Sequence, residues 1–163
     1  MSDLRIIPYT PEQRSAVLDL AVAAWSPVFA KTRQEVPGFV YDAFYPNGWQ
    51  ARQVEDVGAL LDQNEVSVWL LLDGQHLLGF LGFQLHPEDQ MGAIHIIAIA
   101  PDRQGQGLGK HLMQFAESQI RDAGMSMVMV ETVDDSGHAP ARSAYETSGY
   151  QRWPVARYFK KLQ

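Results

Sequence analysis

The middle of the chain joins an apolar strand, a glycine-rich turn and an amphipathic helix. Residues 93–100, AIHIIAIA, are rich in β-branched side chains, which favour strands. Glycines then follow at the alternate positions 105, 107 and 109. The helical pattern after them has its apolar positions at Leu108, Leu112, Phe115, Ala116, Ile120 and Ala123, with Gly124 as a C-cap. A strand followed so closely by an amphipathic helix is typical of folds in which helices cover a sheet.

The rest of the chain adds strands and helices in an order that fits such a fold. We predict a strand at 4–9, then a helix through 17–28 with Thr10 as N-cap and Pro11 at its first position. An aromatic-rich loop at 37–49 precedes a helix at 49–63. Two strands, at 66–72 and 77–85, form a predicted hairpin that turns at Asp73-Gly74. After the central helix we predict a strand at 125–133, a short helix at 141–149, and one or two strands in 150–162. The fold class is therefore an α/β (α+β) sandwich, a single domain spanning 1–163.

Composition narrows the class of protein. A chain of 163 residues suits one domain with one core. Its longest apolar runs, at 68–72 and 96–100, are far shorter than the roughly 18 residues of a membrane span, and the polar opening MSDLR does not predict a signal peptide. The absence of cysteine excludes disulfides and thiolate chemistry, so we expect a cytoplasmic protein.

Charge and histidine spacing exclude two kinds of partner. The formal net charge of −6 argues against nucleic acid and is compatible with a cationic substrate such as an amine. None of the five histidines stands in a metal-ligand spacing, so we predict no metal site. We expect no membrane partner either.

The glycine-rich turn differs from two well-known phosphate-binding patterns. A P-loop requires a glycine where Gln104 stands and a serine or threonine where His111 stands. A dinucleotide-binding turn requires a third glycine where Lys110 stands. Unpaired amides at a helix start nevertheless suit a pyrophosphate, and Lys110 could add a charge. The alternative is a tight turn with no ligand.

The pattern Gln104-x-x-Gly107-x-Gly109 resembles the Q/R-x-x-G-x-G/A signature of the GNAT superfamily, the acetyl-CoA-dependent N-acetyltransferases. GAIHIIAIAPDRQGQGLGKHLM is similar to that family's fourth strand, pyrophosphate loop and third helix. Ala141, Tyr145 and Gly149-Tyr150 resemble its late motif, and the likeness covers roughly residues 66–162. The resemblance implies a mixed, mostly antiparallel sheet of 6–7 strands, splayed between strands 4 and 5 and flanked by about four helices.

The same resemblance implies acetyl-CoA as co-substrate. Pantetheine would lie in the splayed gap along the fourth strand, and the pyrophosphate would lie on the glycine-rich turn. His138 stands where the family often has an asparagine that holds the pantetheine arm. The implied cofactor-binding residues are Ile97, Ala98, Ile99, Gln104, Gly105, Gln106, Gly107, Leu108, Gly109, Lys110 and His138.

Two residues are candidates for catalysis. The resemblance makes Tyr145 the acid that meets the leaving sulfur, and the alternative is an amphipathic core residue. Many relatives carry a glutamate where this chain has Ala93, and His95 stands two residues along on the same strand face. Histidine accepts a proton near neutral pH, so His95 is a candidate base, against a hydrogen-bonded core residue as the alternative. Glu131 is a second candidate base.

We therefore expect direct acetyl transfer to a primary amine of a small molecule or peptide, because no cysteine exists to carry an acetyl group. Alternatives are a non-catalytic acyl-CoA-binding or sensing domain and a nucleotide-binding module. A homodimer stays open. Aromatic residues could wall the acceptor pocket or simply pack the core; they are Trp25, Phe29, Phe39, Tyr41, Phe44, Tyr45 and Trp49.

Overall fold

The computed structural model describes residues 3–163, so the first two residues of the predicted domain lie outside it. Five strands form one sheet in chain order: β1 Leu4–Pro8, β2 Val66–Asp73, β3 His76–His86, β4 Met91–Ile99 and β5 Met127–Val130. The helices are α1 Arg14–Glu35, α2 Gly38–Phe44, α3 Trp49–Leu61, α4 Leu108–Asp122 and α5 Ala139–Thr147. Neighbouring strands are antiparallel, except β4 and β5, which are parallel.

The predicted hairpin between β2 and β3 is confirmed. Asp73 pairs with His76, and Gly74 between them has φ of +60°. Glycine reaches this left-handed conformation without the steric cost that a Cβ adds. The turn therefore fixes the register that brings the apolar residues of both strands into the core.

Helices cover both faces of the sheet. On one face α1 and α3 contribute Val17, Ala21 and Val57, which pack against Leu70 and Phe80. On the other face α4 presents its predicted apolar residues to the sheet, except Ala123, which follows the helix and is exposed. Three of these, Leu112, Ala116 and Ile120, are fully or almost fully buried against Leu81, Phe83 and Ile94. The sequence prediction of a mixed sheet sandwiched by helices is confirmed.

Three predictions about individual elements are wrong. The aromatic-rich stretch at 37–49 contains α2, so the described chain has five α-helices rather than about four. The strand predicted at 125–133 is confined to Met127–Val130. Within residues 3–163 the sheet has five strands, not 6–7, because 150–162 forms none. The alternating apolar residues of 150–162 favour a strand. A strand also needs a neighbouring strand to hydrogen-bond with, and the sequence of the segment does not show whether one is present.

In the part of the chain that the structure describes, no helix combines the length and apolar character needed to cross a bilayer.

Candidate functional site

The ladder between β4 and β5 ends partway along β4, and the space beside the remainder of β4 is here called the gap. The two strands pair from Met91 with Met127 to Ile94 with Val130, and β4 continues beyond that point to Ile99. β5 itself ends at Val130, so the splay between the fourth and fifth strands stays a prediction. Backbone groups of β4 that face the gap are available to an extended ligand, as at a sheet edge.

Backbone alternation decides which β4 residues face the gap. Ala100 N–H donates to Leu78 O at 2.7 Å, and a Cβ on Gly79 would lie 2.5 Å from Ala98 O, so these groups point towards β3. Antiparallel ladders alternate, so the polar backbone groups of Ile97 and Ile99 point the other way, into the gap. Of the three β4 residues predicted to bind pantetheine, Ala98 is therefore placed with its backbone towards β3.

The glycine-rich turn closes one end of this gap. Gly105 and Gly107 have φ of +76° and +80°, and a Cβ at either position would meet no protein atom within 4 Å. The first hydrogen bond of α4 runs from His111 N–H to Gly107 O at 3.0 Å, which leaves the amides of 108–110 without an intrahelical acceptor. The turn therefore presents main-chain donors to open space.

Side chains from the turn have separate tasks. Gln104 Nε2 donates to Ile99 O at 3.1 Å and so ties the turn to the end of β4, while Gln106 Oε1 accepts from Arg103 Nε at 3.1 Å. Lys110 lines a cleft of ≈ 170 Å³ between α4 and α5, whose other walls are Met113, Gln114, Glu117, Thr147 and Ser148. The Lys110 side chain, on the first turn of α4, thus brings a cation to the cleft between α4 and α5.

His95 occupies an irregular position in β4. Gly82 pairs with Ile96 and Phe83 with Ile94, so two consecutive residues of β3 bracket three of β4. His95 is the extra residue of this β-bulge. Bulges commonly re-aim a side chain next to a functional site.

The surroundings of His95 favour its neutral form. His95 is exposed as a residue, but partial desolvation of its ring lowers its pKa, and the nearby His86, whose ring centroid lies 6.4 Å away, lowers it further. His95 Nε2 lies 2.9 Å from Gln84 Oε1, which can only accept a hydrogen bond. Nε2 therefore carries the hydrogen, and Nδ1 keeps the lone pair that a base needs.

A cavity of ≈ 220 Å³ lies beside His95, on the sheet face covered by α1 and α3. Its lining mixes apolar and polar side chains: Trp25, Gln53, Asp56, Val57, Leu60, His95 and Ile96. Among the predicted aromatic residues, Trp25 reaches this cavity, while Phe29 stacks on Trp49 at 4.6 Å and meets the Tyr45 ring edge-on at 5.2 Å. Asp56 is paired with Arg52 at 2.9 Å.

Tyr145 lies on α5, partly buried, with its ring centroid 6.1 Å from that of Tyr150. Burial raises the pKa of Tyr145, so the hydroxyl stays protonated through the neutral range. Tyr150 instead donates its hydroxyl to Glu117 Oε2 at 3.3 Å, which joins the segment after α5 to α4. Of the two tyrosines, Tyr145 is the one whose hydroxyl is not already bonded to Glu117.

His138 is held by a carboxylate. Its Nδ1 lies 2.6 Å from Asp135 Oδ1, and its amide donates to the same oxygen at 2.9 Å. Thr32 of α1 donates its hydroxyl to Asp135 Oδ2 at 3.3 Å. Burial raises the pKa of Asp135, but the hydrogen bonds and charge of His138 outweigh burial and bring it below the ordinary value.

Sequence reasoning missed the side chains that orient the two histidines. Gln84 and Asp135 bond to His95 and His138 respectively, and His86 faces His95. Alternation along β3 could have placed Gln84 and His86 on one face, but nothing in the sequence pairs them with His95. Glu131 follows the end of β5 and is exposed.

No cluster of three or more potential metal ligands occurs in residues 3–163.

Comparisons with known proteins agree with this geometry. The acetyltransferase (GNAT) family profile matches residues 34–150. A mycothiol acetyltransferase of Pseudarthrobacter chlorophenolicus is 34% identical over 86 residues, which are 50% of this chain and 26% of that protein. The chain thus matches only about a quarter of that curated relative.

Solved structures share the whole fold at low sequence identity. PaiA N-acetyltransferase of Thermoplasma acidophilum, in complex with coenzyme A, gives a TM-score of 0.70 at 12% identity and covers 94% of this chain and 93% of that one. An aminoglycoside acetyltransferase from an uncultured soil metagenomic sample, in complex with sisomicin, gives 0.64 at 18% identity and covers 98% and 97%. The chain belongs to the acetyltransferase (GNAT) family.

Proposed function

We propose that this protein is an acetyl-CoA-dependent N-acetyltransferase that moves the acetyl group directly to a primary amine of a small molecule or peptide. The observation that carries the proposal is the gap between β4 and β5, with open amides at one end and a bulged histidine and cavity along it. Family membership supports it.

The residues present fit acetyl-CoA. The amides of 108–110, with the partial positive charge of the α4 start and Lys110 beside them, would hold the pyrophosphate. The gap-facing backbone of Ile97 would pair with the pantetheine arm, His138 would contact the same arm, and the Ile99 amide would face the acetyl group. When bound, the co-substrate supplies an acetyl thioester and departs as the CoA thiol.

His95 acts as the base in this mechanism. Its Nδ1 lone pair accepts a proton from the acceptor ammonium in the adjacent cavity, so that a neutral amine attacks the acetyl carbon. The second proton that this nitrogen loses on becoming an amide goes to the Tyr145 phenolate that remains when the sulfur is protonated. The lowered pKa of His95 keeps it unprotonated, and therefore ready to accept, at neutral pH. The Ile99 amide donates to the carbonyl oxygen as negative charge develops there.

Tyr145 acts as the acid. As the carbon–nitrogen bond forms and the carbon–sulfur bond breaks, the Tyr145 hydroxyl donates its proton to the departing sulfur. An ordinary phenol has a pKa of about 10, close to that of an alkyl thiol, so this transfer is nearly balanced. The raised pKa of Tyr145 ensures that the proton is present before the reaction.

The acceptor belongs to a broad class. Relatives and neighbours carry names that specify mycothiol and aminoglycosides, and both point to small-molecule acceptors. The cavity of ≈ 220 Å³ beside His95 suits the amine-bearing end of such a molecule. Trp25 supplies an aromatic wall, and Gln53 supplies a hydrogen-bonding group.

The test is release of CoA thiol from acetyl-CoA across a panel of primary amines, measured with a thiol reagent. We expect turnover with at least one small amine, and losses of 100-fold or more in kcat for His95→Ala, in line with the roughly 10²–10⁴-fold effect of general bases. Tyr145→Phe should also lower kcat. His76→Ala, an exposed histidine at the start of β3, is the matched control.

Two results would contradict the proposal. Tight acetyl-CoA binding without turnover for any amine would indicate an acyl-CoA-binding domain. Full activity in both the His95→Ala and Tyr145→Phe variants would remove the assigned mechanism.

A further inference from the structure

The cavity of ≈ 220 Å³ beside His95 is small, and its inner wall is apolar. Val57 and Ile96 in its lining are buried, and Trp25 and Leu60 are partly buried. Pockets that enclose a drug-sized ligand have volumes of about 300–1,000 Å³. The cavity therefore suits a compact apolar body rather than the whole of a large sugar-based molecule.

Two residues of the cavity lining can carry a charge, and both are exposed. They are His95 and Asp56. His95 is neutral at neutral pH, because partial desolvation and the nearby His86 both lower its pKa. Among the residues that the structure describes around this cavity, Asp56 is therefore the one that brings a negative charge to it.

The Asp56 carboxylate is already bound by an arginine. Arg52 and Asp56 lie on α3, four residues apart, and Arg52 Nε lies 3.0 Å from Oδ1 and 2.9 Å from Oδ2 of Asp56. Arg52 lies outside the cavity lining, so it meets the carboxylate from the far side. A carboxylate whose charge is compensated in this way attracts a further cation only weakly.

A second contact holds Arg52 in this position. Its Nη1 donates to Phe44 O at 3.0 Å. Phe44 is the last residue of α2, where helix carbonyls lack an intrahelical donor. Moving the guanidinium away from Asp56 would also break its bond to α2. The Arg52–Asp56 pair is therefore fixed by the junction of α2 and α3.

We propose that the acceptor is a primary monoamine on a compact apolar body, and that the Arg52–Asp56 pair determines this specificity by compensating the carboxylate of the cavity lining. The inference rests on the proposed function. The reacting ammonium gives its proton to His95 Nδ1 and so needs no permanent counterion. The apolar body packs on Trp25 and Val57.

A second ammonium on the same molecule has no favourable place in this cavity. It would lose part of its hydration on entry, and a charge taken from water without a partner is unfavourable. Aminoglycosides, which the name of one structural neighbour specifies, carry several ammonium groups and would need several free carboxylates. The arrangement around Asp56 therefore disfavours polycationic acceptors.

The first experiment compares two acceptors that differ by one ammonium group. n-Hexylamine and 1,6-diaminohexane have the same carbon chain, and kcat/KM is measured for each from the release of CoA thiol. We expect kcat/KM to be at least tenfold higher for hexylamine, although the diamine offers two reacting amines. A diamine that is used equally well or better would overturn the inference and leave the N-acetyltransferase assignment intact.

The second experiment changes the charge pair. Arg52→Gln leaves the Asp56 carboxylate free to receive a second ammonium, so the hexylamine-to-diamine ratio of kcat/KM should fall at least fivefold. The double variant Arg52→Gln/Asp56→Asn removes both charges and should restore the wild-type ratio. Because the ratio compares two substrates on one preparation, partial unfolding of a variant does not alter it. A ratio that Arg52→Gln leaves unchanged would overturn the role of the pair.

Arg14→Gln is the matched control. Arg14 pairs with Asp62 at 2.6 Å, its side chain is 38% exposed against 45% for Arg52, and this pair lies outside the cavity lining. The ratio should keep its wild-type value in this variant. A change as large as that of Arg52→Gln would assign the preference to the net charge of the chain, and would overturn the inference.

Calorimetry separates the inference from the proposed function, because binding of the two amines in the presence of CoA needs no turnover. Tighter binding of hexylamine than of 1,6-diaminohexane, without turnover of either, would support the assignment of the cavity and contradict the N-acetyltransferase activity. Neither binding nor turnover of the two amines would overturn both.

Discussion

His95 shows how one extra residue in a strand changes a side chain's chemistry. The bulge in β4 releases His95 from the regular ladder, and the side chain lines the cavity below α1 and α3. Gln84 then fixes which ring nitrogen holds the hydrogen. The environment of His95 thus follows from the β-bulge, in which two residues of β3, Gly82 and Phe83, lie opposite three residues of β4, Ile94–Ile96.

The pH dependence of kcat/KM should report His95. Activity requires the neutral ring, so kcat/KM should rise with pH and reach its plateau through a pKa below the usual 6.5. His86→Gln removes the smaller of the two causes that lower the pKa of His95. The acid limb of the kcat/KM profile should therefore shift to higher pH, with an apparent pKa that stays below 6.5. His76→Gln should leave it in place. An acid limb that His86→Gln does not move would show that His95 is not the group being titrated.

Asp135 contributes to the free energy of unfolding, and this contribution can be measured. It accepts from the amide and ring of His138 and from Thr32. Asp135→Asn weakens these charge-assisted bonds, so we expect a loss of about 1–3 kcal/mol in the free energy of unfolding at pH 7, measured in urea. Because the folded-state pKa of Asp135 is lowered, its contribution is complete above the unfolded-state pKa and disappears as pH falls through the folded-state value. The variant and wild type should therefore converge in acid; a constant difference would contradict this account.

At the residue level, the sequence indicated candidates but not their partners. His95 and His138 stand in recognisable positions relative to the motif. Gln84 and Asp135 do not, because their distances to the histidines depend on strand register and loop closure. The bulge itself was not predictable, since the run IHIIAI reads as a regular strand.

At the scale of the elements, helix α4 is flanked at both ends by a glycine with a positive φ. Gly107 and Gly124 have φ of +80° and +89°, and neither has a protein atom within 4 Å of its would-be Cβ. Alanine at either position should cost about 1 kcal/mol of stability. Only Gly107→Ala should also weaken CoA binding, by about tenfold in calorimetry, because it disturbs the open amides. Equal CoA affinity in the two variants would contradict the pyrophosphate assignment.

The packing of α4 on β4 depends on a glycine. A Cβ on Gly92 would lie 2.5 Å from Ile120 Cγ1 and Cδ1, and Ile120 is only 1% exposed. Gly92→Ala should therefore destabilise the fold by about 1–3 kcal/mol. In a double-mutant cycle by urea denaturation, Ile120→Ala should cost less in the Gly92→Ala background, because the new methyl group fills part of the vacated space. Additive costs would mean that the two positions are not in contact.

Elements with strong local signals were predicted best. The Asp73-Gly74 turn, the α4 periodicity and Gly124 after it all depend on neighbouring residues and are observed. Helix α2 was missed because Pro37 and Gly38 are typical of a loop, whereas the structure begins a helix there. Tyr41 and Phe44 of α2 contact Tyr45, which in turn meets Phe29 in a tertiary contact that no local pattern reveals.

At the scale of the whole molecule, the layered fold could be predicted from the sequence, but the number of strands in the sheet could not. Five strands and two helical layers follow from periodicity and turn residues. The alternating apolar residues of 150–162 predict a strand, but that prediction is wrong for residues 3–163, where no ladder orders this segment. A strand needs a partner, and a single chain's sequence does not state whether that partner belongs to the same molecule.

Helix α1 connects two regions that would otherwise be independent. Trp25 lines the cavity at His95, and further along the helix Val28 lies against Gly137, Thr32 bonds to Asp135, and Glu35 binds Ser136. Any redesign of this helix for a bulkier acceptor must therefore keep Val28, Thr32 and Glu35 in place. Otherwise, the loop that carries His138 would lose its support together with the old specificity.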